Sequence, residues 1–133
     1  MPTTTITDYQ VLRDSNFTIS RLTIVDNEFP QSKTFDFDIP SDLHLTNSTR
    51  RHASLAFKMR PLVDTKLTVR VNHNKLFENT FDASHTRAYW ETFSMKSVLG
   101  SDANTASDVP VSFFCNTGRI VISDVILWYQ IDR

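Results

Sequence analysis

Leu67-Thr68-Val69-Arg70-Val71-Asn72-His73-Asn74-Lys75-Leu76 is the most informative stretch of the chain. Leu67, Val69 and Val71 alternate with Thr68, Arg70 and Asn72. A period of two puts the apolar set on one side of a strand and the polar set on the other. The pattern stops at Asn72-His73-Asn74 and resumes at Lys75, which predicts a tight hairpin. Asparagine is suited to the positive-φ positions of such a turn.

The same alternation recurs on both sides. Phe35-Asp36-Phe37-Asp38-Ile39 ends at Pro40, and Leu55-Ala56-Phe57-Lys58-Met59-Arg60 ends at Pro61. Phe17 to Val25, Lys75 to Phe81, Thr86 to Phe93 and Val109 to Cys115 are also read as strands. Arg119 to Ile131 is the longest and most apolar. His85 to Met95 has some helical spacing, but Tyr89, Trp90, Thr92 and Phe93 favour a strand. Val, Ile and Thr supply 34 of 133 residues and Ala only six, a balance that suits sheets. Polar clusters at Asp26-Asn27-Glu28, Ser41-Asp42 and Ser101 to Asp108 separate the strands. The expected fold is all-β: a single domain over residues 1–133, an antiparallel β-sandwich of jelly-roll type, with a closed barrel as the alternative.

Composition removes several functions. The net charge is -1, from 14 Lys+Arg and 15 Asp+Glu. A nucleic-acid binder or a polybasic membrane module needs a basic surplus, so neither nucleic acid nor a membrane is expected as partner. The start has no basic n-region or apolar h-region, and no apolar run is long enough to span a bilayer. Only two glycines occur, Gly100 and Gly118, which excludes glycine-rich phosphate loops. The one cysteine, Cys115, forbids an intrachain disulfide and a cysteine zinc cage. It sits in an apolar strand and reads as a small core hydrophobe. His44, His52, His73 and His85 lack the spacing of a metal site, so no metal or cofactor is expected. Asp36 and Asp38 share an outward face, where Lys58, Arg60, Lys66 and Arg70 offer cross-strand partners; a glycosidase pair is the less favoured reading. Asn16-Phe17-Thr18 and Asn47-Ser48-Thr49 match the glycosylation pattern, which is common by chance.

In the last strand, alternation puts Ile120, Ile122, Ile126 and Trp128 on one face. Val121, Val125, Leu127 and Tyr129 fall on the other. Two apolar faces call for cover by a loop, the N-terminal segment or a second subunit. Asp124 interrupts the first face. It is read as a structural carboxylate, bonded to a backbone amide or an arginine, or set on a bulge.

Tyr89 and Trp90 point to opposite faces of one strand. If Trp90 is core, Tyr89 joins Arg87 and Glu91 in an outward row. Aromatic faces stack on sugar C–H groups, and planar polar side chains bond pairs of hydroxyls. Asn72, His73, Arg87, Tyr89 and Glu91 are therefore the candidate ligand-binding residues, against the plainer reading of a solvated sheet face.

Three segments carry a resemblance. Ser54-Leu55-Ala56-Phe57, the Leu67 to Asn72 hairpin with Leu76, and Gly118-Arg119-Ile120-Val121-Ile122-Ser123-Asp124-Val125-Ile126-Leu127-Trp128-Tyr129 resemble a galactose-binding-like β-sandwich of the carbohydrate-binding-module type. The resemblance runs from about residue 53 to 130. It departs from the family at His73, where a glycine is usual, and at Ser101 to Asp108, which replaces a Gly-x-Asn. It implies a structural last strand and carbohydrate binding as a class, and carries over no sugar-contact residue. The expected function is a non-catalytic carbohydrate-binding protein, a small lectin or sugar-binding module, not an enzyme. Its partner would be a glycan or small sugar, bound with avidity by a homo-oligomer. The alternative is a structural or assembly protein such as a capsid, fibre or tail component.

Overall fold

The structure is a computed structural model and describes residues 5–22, 29–37, 52–84, 87–94 and 109–132. Among these the chain is all-β, with no helix. The strands are β1 (Thr5–Arg13), β2 (Phe17–Arg21), β3 (Ser32–Phe37), β4 (His52–Pro61), β5 (Thr65–Val71), β6 (Asn74–Phe81), β7 (Arg87–Ser94) and β8 (Val109–Asp132). Ile39, Pro40, the turns at 26–28 and 41–42, the 101–108 loop, His44, His85 and the Asn47 glycosylation pattern lie outside the described residues.

All eight strands join one antiparallel sheet with β8 as its hub. β8 has 24 residues, and β3, β2 and β1 pair with it in succession. β5 and β4 pair with it along the opposite edge, and β6 and β7 extend beyond them. The sequence divided this run into Val109 to Cys115 and Arg119 to Ile131. The structure keeps it as one strand because the intervening Thr117 stays paired with Lys66 of β5, and Gly118 with Arg21 of β2.

Two irregularities re-aim the side chains of β8. Lys66 and Leu67 are consecutive on β5 but face Thr117 and Cys115, so Asn116 is an extra residue. Lys58 faces Ser123 while Ala56 faces Ile126, so a second extra residue falls beside Asp124. Asp124 has φ 53°, the left-handed conformation of a bulge. Each bulge reverses the in–out alternation. The buried residues are Val111, Phe113 and Cys115, then Ile120 and Ile122, then Val125 and Leu127. This corrects the strict two-face reading. Ile126 and Trp128 are not on the face of Ile120 and Ile122, and Val125 and Leu127 are inside. Asp124 is half-exposed, 3.6 Å from the Lys58 ammonium, instead of buried on an apolar face.

The core takes residues from both halves of β8. Phe57 meets Phe113 edge-on at 5.0 Å between ring centres, and Phe17 meets Phe113 at 5.8 Å. Leu55, Met59, Leu67, Val69 and Val71, with Ile19 and Phe81, pack around these rings. The alternating residues of β4 and β5 thus point as their sequence implies. Lys58, Arg60, Lys66 and Arg70 are exposed, as expected.

β1 supplies a strand the sequence did not single out. Its Tyr9 and Val11 stand on the outer face, each 51% exposed, while Gln10 and Leu12 are half-buried. Two apolar side chains of β1, Tyr9 and Val11, therefore face solvent while the polar Gln10 faces inward with Leu12, so the usual alternation is blurred.

Candidate functional site

The Asn72–His73 turn forms as a hairpin between β5 and β6. Asn72 has φ 51° and His73 φ 67°, two consecutive left-handed residues, as in a type I′ turn. The Asn74 amide donates to the Asn72 carbonyl at 3.2 Å. His73 is exposed at the tip. The polar groups there are accessible, and the turn fixes their direction.

Arg87, Tyr89 and Glu91 occupy alternate positions of β7. The condition for an outward row was a buried Trp90, and the structure reverses it. Tyr89 packs inward against Phe57, Phe77 and Phe81, and its hydroxyl accepts a hydrogen bond from the Asn79 amide at 3.4 Å. Trp90 is 58% exposed on the other face. Phe57 and Phe77 lie on the core side of β7, and the phenol ring fits there with its hydroxyl at the rim.

The exposed Trp90 is not isolated. Tyr9 pairs with Trp128 across β1 and β8, with ring centres 4.9 Å apart. Trp128 in turn lies 6.4 Å from Trp90, on the far side of β4. Between the two tryptophans β4 presents only Ser54 and Ala56. Ala56 faces outward yet is 7% exposed, beside the two rings. Small residues on the middle strand let three aromatic side chains form a strip across β1, β8, β4 and β7. The Trp128 indole N–H is shielded from solvent and meets no acceptor among the described residues.

The sequence left open which of Tyr89 and Trp90 is core, and its alternation put Trp128 on the face of Ile120 and Ile122. The hidden signal was the pair of small residues Ser54 and Ala56 at successive outward positions of β4. The bulge at Asp124 concealed the orientation of Trp128.

Further along the same face, Lys58 and Arg60 of β4 border a cleft of about 290 Å³ with Asn16, Met59, Val121 and Ser123. A second cleft of about 390 Å³ lies at the bend of β8, lined by Arg21, Leu22, Val63, Asp64, Asn116, Thr117 and Gly118. On the opposite half of the sheet, Lys66 and Lys75 sit 3.4 and 3.3 Å from Glu78. Hydrogen bonds from Lys75 and Lys66 hold the Glu78 carboxyl below its ordinary value of 4.5. Cys115 is fully buried, and burial pushes its thiol pKa up, which favours the un-ionised and unreactive form. Among the described residues no three His, Cys, Asp or Glu side chains gather in the manner of a metal site.

No known family model and no curated protein matches the chain. Among solved structures it is similar to part of the dimeric latent PorU from Porphyromonas gingivalis, with a TM-score of 0.57 and 12% identity. The match covers 99% of this chain and 13% of that one, and at such identity the likeness is one of fold.

Proposed function

We propose that the protein is a non-catalytic carbohydrate-binding protein, built as a β-sandwich of jelly-roll type, whose binding face is the Tyr9–Trp128–Trp90 strip. One observation carries this: three aromatic side chains lie side by side on the outer face of the sheet, with Tyr9 and Trp90 more than half exposed. An isolated exposed aromatic is ordinary, but a strip held in place over small residues is an apolar surface that invites a partner. Sugar rings offer flat C–H faces of matching chemistry. The resemblance of residues 53–130 to carbohydrate-binding modules supports the same class. The Asn72–His73 turn and Arg87 and Glu91 of β7 remain secondary candidates.

The second reading is an assembly protein that buries this strip against another chain. Val11, exposed beside Tyr9, favours it, because an aliphatic side chain adds little to sugar stacking. A glycan array probed with the wild type and Trp90→Ala, with light scattering at matched concentrations, separates the two. Carbohydrate binding is expected on one glycan class, with the variant at least about tenfold weaker. A blank array, together with an oligomer that Trp90→Ala dissociates, would transfer the strip to the assembly reading.

A further inference from the structure

The face that carries the aromatic strip continues past it. Along β4 the outward positions run from Ala56 to Lys58 and Arg60, each step about 7 Å. Ser123 and Val121 of β8 border the same space, and Asn16 closes its end in the cleft of about 290 Å³. A ligand reaching from Trp90 to Arg60 spans more than one sugar ring.

The charges in this cleft are not equivalent. The Lys58 ammonium is 3.6 Å from the Asp124 carboxylate, an exposed pair in which the cation is partly satisfied. Arg13 is committed nearby: its guanidinium donates to the Ser15 and Asn16 carbonyls and lies over the Phe17 ring. Arg60 pairs with no carboxylate among the described residues. The cleft therefore offers an unpaired guanidinium, a shared ammonium, one amide and one hydroxyl. A guanidinium fork matches a carboxylate in a bidentate manner, and amide and hydroxyl groups match ring hydroxyls. One open guanidinium suits one planar carboxylate better than a cluster of sulfates.

Resting on the carbohydrate-binding reading, we propose that the Arg60 cleft binds a hexuronate unit of an acidic oligosaccharide whose adjoining rings stack on Trp128 and Trp90. The carboxylate sits on Arg60, with Lys58 as a second donor, and Asn16 and Ser123 take the ring hydroxyls.

The test is calorimetric titration with galacturonate, glucuronate and mannuronate tetrasaccharides and with the same compounds after reduction of their carboxyls to alcohols. At least one acidic tetrasaccharide is expected to bind about tenfold more tightly than its reduced form at low salt, with the advantage shrinking as salt screens the charge. Arg60→Gln lowers the affinity for the acidic form far more than for the reduced form and so cuts that advantage to about threefold or less, whereas Trp90→Ala weakens both equally. Arg60 is exposed, so the substitution leaves the core intact. Equal binding of acidic and reduced forms, an Arg60→Gln protein that keeps the advantage, or a preference for sulfated tetrasaccharides would each overturn the hexuronate site. A protein that binds neutral glycans on the array and none of these compounds loses this proposal and keeps the broader reading. Binding of no glycan at all removes both.

Discussion

Gly118→Ala should be among the most destabilising conservative changes in the protein. Gly118 lies where β8 passes from pairing with β5 to pairing with β4, against the connection between those strands. Its φ is +101°, a conformation that a Cβ disfavours. An added methyl would also collide with the Asp64 carbonyl oxygen, and would lie 2.5 Å from Thr65 Oγ1 and 2.8 Å from Thr65 Cα. Two of these neighbours are backbone and cannot turn aside. Thr65 is itself buried and committed. Its hydroxyl lies 2.7 Å from the Val63 carbonyl oxygen and 3.0 Å from that of Arg119, and accepts the Arg119 N–H at 3.2 Å. Backbone strain costs roughly 1–3 kcal/mol and displacement of the Thr65 hydrogen bonds roughly 1–3 more, so about 2–6 kcal/mol in total. For a domain with about 5–15 kcal/mol of stability this is a large share. Urea denaturation should show it as a lower midpoint with an unchanged slope, and Tm should fall by roughly 10–20 °C. Thr65→Val removes the hydrogen bonds without the clash and should cost about 1–3 kcal/mol. A Gly118→Ala protein within about 1 kcal/mol of wild type would refute this description of the bend.

Three further expectations concern individual residues. His73→Gly relieves a left-handed non-glycine residue in the turn and should raise stability by about 0.5–1 kcal/mol after the added entropy of the unfolded chain, read by thermal denaturation. Asp124→Asn keeps the left-handed conformation and loses only an exposed ion pair, so it should cost less than about 1 kcal/mol, whereas the β-branched Asp124→Val should cost about 2 kcal/mol or more; equal losses would show that the carboxylate, not the bulge, is what matters. Because Glu78 has its folded pKa depressed below 4.5, its contribution is present above that pH and disappears as pH falls through the lowered value. Glu78→Gln should therefore flatten the acid limb of stability against pH in urea titrations between about pH 5 and 3.

The parts of the fold legible in the sequence were those where alternation runs without interruption. β4 and β5 each have one face in the core, and Leu55, Phe57 and Met59, like Leu67, Val69 and Val71, are buried as their spacing implies. The Asn72 turn was legible because its neighbours alternate on both sides. β8 was not, because each bulge adds one residue and exchanges the faces of all that follow. Counting by twos from Ile120 therefore put Trp128 on the face of the buried Ile120 and Ile122, when it belongs to the outer strip. β1 escaped notice because its inner side carries Gln10 while Tyr9 and Val11 face out. The same exchange governs the site. Tyr89 and Trp90 are both aromatic, and which one turns inward is decided by Phe57 and Phe77 across the core, contacts remote in sequence.

The two tryptophans of the chain, Trp90 and Trp128, both lie in the proposed binding strip, so their signals report on it directly. The decisive measurement is an NMR titration of the two indole N–H resonances with an oligosaccharide selected from the array. Both resonances are expected to shift and saturate together, with Trp90→Ala reducing the affinity at least about tenfold. Saturable glycan binding that leaves both indoles unmoved, or that shifts only the backbone amides of Asn72 and His73, would contradict the assignment of the aromatic strip as the binding face.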